Sequence, residues 1–125
     1  MPTLGRTSSR RRDECESHLI DILNEAIKHY DFSVIWGHRD HEAQTSAFEN
    51  GHSQLRWPHS MHNKIPSRAF DVVPWPAGFK ANDGEFYILA THILRAASKL
   101  GVRLVWGGHW RTLRDLAHFE LEDKL

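Results

Sequence analysis

The chain has a single cysteine, Cys15, in 125 residues, so neither an intramolecular disulfide nor a thiolate-rich zinc site can form. It has no stretch near the roughly 18 to 20 consecutive apolar residues that cross a bilayer, and its N-terminus lacks the apolar core of a secretory signal. It also lacks net charge. Sixteen Lys and Arg against 16 Asp and Glu leave no overall field to hold the chain on nucleic acid or an anionic membrane. These absences lead us to expect a protein made and folded in the cytosol, with no nucleic-acid partner and no membrane insertion. What remains, 40% hydrophobic and 26% charged, is enough for one packed core and excludes disorder, coiled coil and collagen. Histidine is the residue in excess, at ten. Imidazole serves metal binding and proton transfer near neutral pH, so its placement is the first pointer to chemistry.

Arg6, Arg10, Arg11 and Arg12 lie in a Ser- and Gly-containing leader ahead of the first apolar period. Residues 1–12 therefore read as a flexible basic arm, inert in catalysis, and residues 13–125 as one catalytic domain. From Asp13 to Tyr30, Leu19, Ile22, Leu23, Ala26 and Ile27 recur at helical spacing, with Asp13 and Glu16 as a capping box. Phe32 to Trp36 is a strand ended by Gly37, and His41 to Asn50 a short helix capped by Asp40. The stretch from His52 to Arg68, with Pro58 and Pro66, has no period and is expected to wrap a site as a loop. Ala69 to Val73 is strand-like, closed by Pro74-Trp75-Pro76. Asp83 then caps a helix whose Phe86, Leu89, Ile93, Leu94, Ala97 and Leu100 form one stripe before Gly101. Val102 to Val105 and His118 to Leu121 read as strands. The sum is a small α+β domain, a short antiparallel sheet flanked by roughly three helices.

Two clusters set histidine close to carboxylate: Ser60-Met61-His62 followed by Ala69-Phe70-Asp71, and Asp115-Leu116-Ala117-His118-Phe119-Glu120. A hydrolytic zinc ion needs three N or O ligands and one open position, a set that His62, Asp71 and His118 would supply. Adjacent antiparallel strands would bring Asp71 and His118 together, since facing Cβ atoms lie about 4.5 to 5.5 Å apart. Asp115, three residues before His118, could approach the ion from a turn without ligating it and act as general base. Glu120, two residues after His118, shares its face on a strand and is a supporting group or rival base. The same spacings also suit buried, hydrogen-bonded histidines in a His-rich chain.

Five pieces occur in order: Trp36-Gly37-His38-Arg39 with Gln44, Ser60-Met61-His62, Ala69-Phe70-Asp71, Trp106-Gly107-Gly108 with Trp110, and Asp115-x-x-His118-Phe119-Glu120-Leu121. From Val34 to Leu121 the sequence thus resembles the zinc peptidase family of D-alanyl-D-alanine carboxypeptidases and phage L-alanyl-D-glutamate endopeptidases, which cut peptidoglycan stem peptides. The interval from His62 to Asp71 is longer than the family's common one, as a longer loop would make it. The resemblance implies a Hedgehog/D,D-peptidase-like fold, a Zn2+ cofactor held by His62, Asp71 and His118, and Asp115 as catalytic base. It also implies that Arg39 anchors the substrate or polarises its carbonyl, for which a guanidinium's paired donors are suited. Ser60 either hydrogen-bonds substrate or orients the loop, and Gln44 is a further substrate-binding candidate. His109 stands where family members often carry an acidic residue and, with Glu120, is a candidate to support the ligands from behind.

The implied function is that of a phage or prophage endolysin, monomeric, cutting L-Ala-D-Glu in the peptidoglycan stem peptide. It would be made in the cytoplasm of the infected or lysogenic bacterium and act on the wall after release. The alternatives are a D,D- or L,D-carboxypeptidase of the same chemistry and a non-catalytic phage structural or wall-binding module. Retention of Asp115 beside all three ligands argues against the last. Since both imidazoles must be neutral to bind metal, activity is expected to fall below about pH 6.

Overall fold

The computed structural model describes residues 2–122. Met1 and residues 123–125, the outer ends of the expected arm and domain, lie outside the described residues. Four α-helices, α1 (Arg6–Asp13), α2 (Ser17–Ala26), α3 (His41–Glu49) and α4 (Asp83–Lys99), surround four strands, β1 (Phe32–Trp36), β2 (Ala69–Pro74), β3 (Leu104–Trp106) and β4 (His118–Leu121). The strands form one sheet in the order β1-β2-β4-β3, antiparallel at every pairing. This is the expected α+β architecture with one helix more. No helix among the described residues is long and apolar enough to cross a membrane.

The core follows from two periodicities. Leu19, Ile22, Leu23 and Ala26 line one face of α2, and Leu89, Ala90, Ile93, Ala96 and Ala97 one face of α4. Both faces close over Phe70 and Val72 of β2 and Phe119 and Leu121 of β4. The Phe70 and Phe119 rings stack with centroids 5.4 Å apart. Alternation along a strand then sends the intervening residues, Asp71 on β2 and His118 and Glu120 on β4, to the face turned away from α2 and α4. Helix α4 is capped by Asn82, with Glu85 completing the capping box, rather than by the expected Asp83. Leu100, assigned from the sequence to its buried stripe, is 42% exposed.

The N-terminal segment corrects the sequence reading. Residues 6–13 are a helix, not a mobile arm, and α2 begins afresh at Ser17 with Glu16 as its cap. Helix α1 has no apolar stripe because polar groups hold it. The Ser8 hydroxyl accepts the Val34 amide N–H at 2.9 Å, and Arg11 donates to the Val34 carbonyl at 3.0 Å. Val34 lies on the outermost strand, so α1 satisfies backbone groups that an edge would otherwise leave open. Gly37 permits this approach: a Cβ there would lie 2.3 Å from the Arg11 carbonyl oxygen. Glu14 accepts the His38 amide N–H at 3.0 Å, so the corner between α1 and α2 fixes the turn that follows β1.

Candidate metal centre

Three elements converge on one point. Asp71 and His118 are direct partners in the antiparallel register of β2 and β4, the adjacency expected from the sequence. His62 comes from the loop before β2, in a 3-10 turn spanning Met61–Asn63. Ser60 caps that turn: its hydroxyl accepts the His62 amide N–H at 3.2 Å, while the Asn63 side chain accepts the Ser60 amide at 3.0 Å. Ser60 is itself buried and orients the loop through this cap.

Nε2 of His62 lies 3.1 Å from Oδ1 of Asp71 and 3.3 Å from Nδ1 of His118, and the triangle closes at 3.0 Å between His118 Nδ1 and Asp71 Oδ1. The outer nitrogens fix the tautomers. His62 Nδ1 is 2.7 Å from the Gly37 carbonyl, and His118 Nε2 is 2.7 Å from a Glu120 carboxylate oxygen. A carbonyl and a carboxylate only accept, so those two nitrogens carry the protons. With both rings neutral, His62 Nε2 and His118 Nδ1 turn lone pairs toward each other and toward Asp71 Oδ1. Three facing lone pairs repel unless a cation sits among them. A tetrahedral ion with bonds of about 2.0 to 2.1 Å sets its ligands roughly 3.3 Å apart, close to the edges of this triangle. His62, Asp71 and His118 therefore fit a metal ion, and all three are buried. Glu120 is placed as expected, behind His118, where it holds the ring in its ligating tautomer.

In the metal-free protein a proton takes the cation's place. Burial disfavours charge on His118, but its hydrogen bonds to Asp71 and Glu120 outweigh this and raise its pKa from 6.5 to about 9. Burial works against the Asp71 carboxylate too, yet His62 and His118 hold it well below the ordinary carboxylate range. Protonated His118 thus stabilises the metal-free fold fully below pH 6.5, and that contribution is lost as pH rises through about 9. Metal needs the opposite state. Affinity should climb about tenfold per pH unit as pH rises toward about 9 and level off above, measured by chelator competition across buffers. The acid limit expected from a free imidazole moves upward accordingly when metal is scarce. A pH-independent affinity over that window would mean that no such proton is displaced.

Asp115 sits in the turn before β4, half-buried, one carboxylate oxygen accepting the Ala117 amide N–H at 3.3 Å. Burial, followed by the nearby Asp71 charge, raises its pKa, the direction a general base needs. The glycine pair places this turn. Asp115 donates its amide N–H to the Gly107 carbonyl at 3.2 Å, and a Cβ on Gly107 would stand 2.3 Å from the Asp115 carbonyl oxygen. Gly108 lies under the Trp106 indole, where a Cβ would also meet ring carbons at 2.3 Å. Gly107→Ala should therefore displace Asp115, lowering stability by about 1 to 3 kcal/mol and activity with it. Thermal melts and turnover on the same sample check this, and unchanged values for both would contradict the packing.

Two further candidates are placed differently from expectation. His109 packs edge-on against Trp106, ring centroids 4.9 Å apart, and shares a groove with Tyr87, Thr91 and Arg114; it does not support the ligands. Gln44 is 0% exposed and bonded to Arg39, Asn63, Ser53 and Leu55, so it is closed to substrate. Arg39 is itself buried, with its guanidinium 3.0 Å from Asp71 Oδ2 and stacked over the Trp36 ring at 5.1 Å. A bulge between Val34 and Trp36 sets Trp36 opposite Asp71. Sequence reasoning missed Asn63, whose only sequence signal was its place three residues after Ser60, and the Gly37 carbonyl, which no side-chain pattern reveals.

The profile of the phage L-alanyl-D-glutamate peptidase family matches residues 2–123, a span that includes α1. The crystal structure of the L-Ala D-Glu endopeptidase ChiX from Serratia marcescens is similar, with a TM-score of 0.81 and 29% sequence identity over 96% of this chain and 90% of that one. No curated protein matches significantly.

Proposed function

Because the chain belongs to the phage L-alanyl-D-glutamate peptidase family, we propose that it is a zinc-dependent endopeptidase cutting the L-Ala-D-Glu amide of peptidoglycan stem peptides. The observation that carries this reading is the triangle of His62 Nε2, Asp71 Oδ1 and His118 Nδ1, whose tautomers leave three lone pairs facing one point. Two imidazoles and one carboxylate suit zinc in a hydrolytic site. When bound, the cation supplies Lewis-acid polarisation of the scissile carbonyl and of the attacking water.

The chain's own residues do the rest. Asp115 takes the proton of the attacking water and returns it to the leaving amine of D-Glu, which its raised pKa favours. Glu120 keeps the His118 proton on Nε2 and so leaves Nδ1 free to ligate. Gly37 does the same for His62 through its carbonyl. In this reading the enzyme acts as a monomer, is made in the cytoplasm of a bacterium carrying the phage, and meets the wall after release.

Digestion of intact sacculi by the zinc-loaded protein, followed by mass spectrometry, tests it. Whole stem peptides beginning with D-Glu are expected. Release of a terminal residue alone would make the protein a carboxypeptidase, and metal binding without any product would make it a non-catalytic module.

A further inference from the structure

Arg39 is the residue whose placement departs furthest from its expected role. It is 6% exposed, and both terminal nitrogens of its guanidinium are engaged on the inner side of the site, while its buried Nε has no hydrogen-bond partner among the described residues. One terminal nitrogen donates to Asp71 Oδ2 at 3.0 Å and the other to Gln44 Oε1 at 3.3 Å. The Gln44 amide cannot be turned round, because its nitrogen donates to the Ser53 hydroxyl at 2.9 Å and the Leu55 carbonyl at 2.7 Å. Its oxygen is therefore held toward Arg39 and also accepts from Asn63 Nδ2 at 3.1 Å. Asn63 in turn donates to the Arg39 carbonyl at 3.1 Å, and the Arg39 amide donates to the His62 carbonyl at 2.9 Å.

From this network we propose that Arg39 is a positioning residue for Asp71, and that Gln44 and Asn63 lock it in place. The inference rests on the metal reading above. By occupying Oδ2, Arg39 leaves Asp71 a single oxygen, Oδ1, to present to His62 and His118. Turning the carboxylate would strand a guanidinium and a carboxylate in buried space, a costly state. Because the lock also grips the backbone on either side of Arg39 and His62, it ties two of the three candidate ligands to one frame. Gln44, unreachable by substrate, nevertheless acts on the metal through two hydrogen bonds.

The test compares Arg39→Met, Arg39→Lys and Gln44→Leu with wild type. Zn2+ affinity is measured by chelator competition, the visible bands of the Co2+-loaded protein report ligand geometry, and KM is measured at saturating Zn2+. Arg39→Met and Gln44→Leu should bind Zn2+ about 10- to 100-fold more weakly, with shifted Co2+ bands, and Arg39→Lys should recover part of both. KM should stay within about two-fold of wild type. A substrate anchor gives the reverse, unchanged Zn2+ affinity and Co2+ bands with KM raised about tenfold or more in both Arg39 variants, and that result overturns the proposal. Should Arg39→Met fail to fold, Arg39→Lys decides alone, since it keeps the buried charge but cannot hold Asp71 and Gln44 together. Failure of wild type to bind Zn2+ stoichiometrically would instead remove the metal reading beneath it.

Discussion

His118→Ala is expected to abolish metal binding and turnover together while leaving the fold in place. His118 Nδ1 closes two sides of the triangle, at 3.0 Å to Asp71 and 3.3 Å to His62, so its loss leaves an ion with two protein ligands. Affinity should fall by more than the roughly 10- to 100-fold that removal of a residue one step further out costs. The fold survives because β4 is held to β2 and β3 by backbone hydrogen bonds and by Phe119 and Leu121, which point the other way into the core. The stability cost should stay near the ordinary range for a partly polar truncation, about 1 to 3 kcal/mol. Zinc content, circular dichroism and sacculus lysis on one preparation check the three parts. A folded variant that keeps stoichiometric zinc would show that the ligands lie elsewhere.

The same residues show what the sequence could carry and what it could not. Strands β2 and β4 were legible because each alternates a large apolar residue with a chemical one. Phe70 and Phe119 declare the core face, and Asp71 and His118 then fall opposite one another in register. The loop holding His62 was legible by its prolines and its lack of period. Helix α1 was not, because recognition of a helix from sequence relies on an apolar stripe, and Arg6–Asp13 has none. It is fastened by Ser8 and Arg11 to backbone atoms of Val34, contacts between residues 26 and 23 positions apart that no local pattern records. Gln44 was noticed for its place beside the Arg39 motif and read as a substrate-binding candidate. Only the fold reveals that its face is closed by Asn63, Ser53 and Leu55. His109 was misplaced because its ring packs on Trp106 while the Gly107 carbonyl takes the Asp115 amide N–H, contacts that no local pattern records.

Asp115→Asn should separate chemistry from binding. Asparagine keeps the volume and the oxygen that accepts the Ala117 amide, so the turn before β4 and the triangle of ligands should persist. What it loses is the capacity to take a proton. General bases contribute about 10²- to 10⁴-fold, and turnover should drop by that factor while zinc content and thermal stability stay at the wild-type level. The contrast with Glu120 makes the result diagnostic. Glu120 is bonded at 2.7 Å to His118 Nε2, where it is engaged in orienting a ligand, so Glu120→Gln should weaken zinc binding before it slows turnover at saturating zinc. If the wild-type acid limb at saturating zinc is the titration of Asp115, it should vanish in Asp115→Asn. If Asp115→Asn retains wild-type turnover and Glu120→Gln at saturating zinc does not, the base is Glu120, and the turn built by Gly107 serves the fold alone.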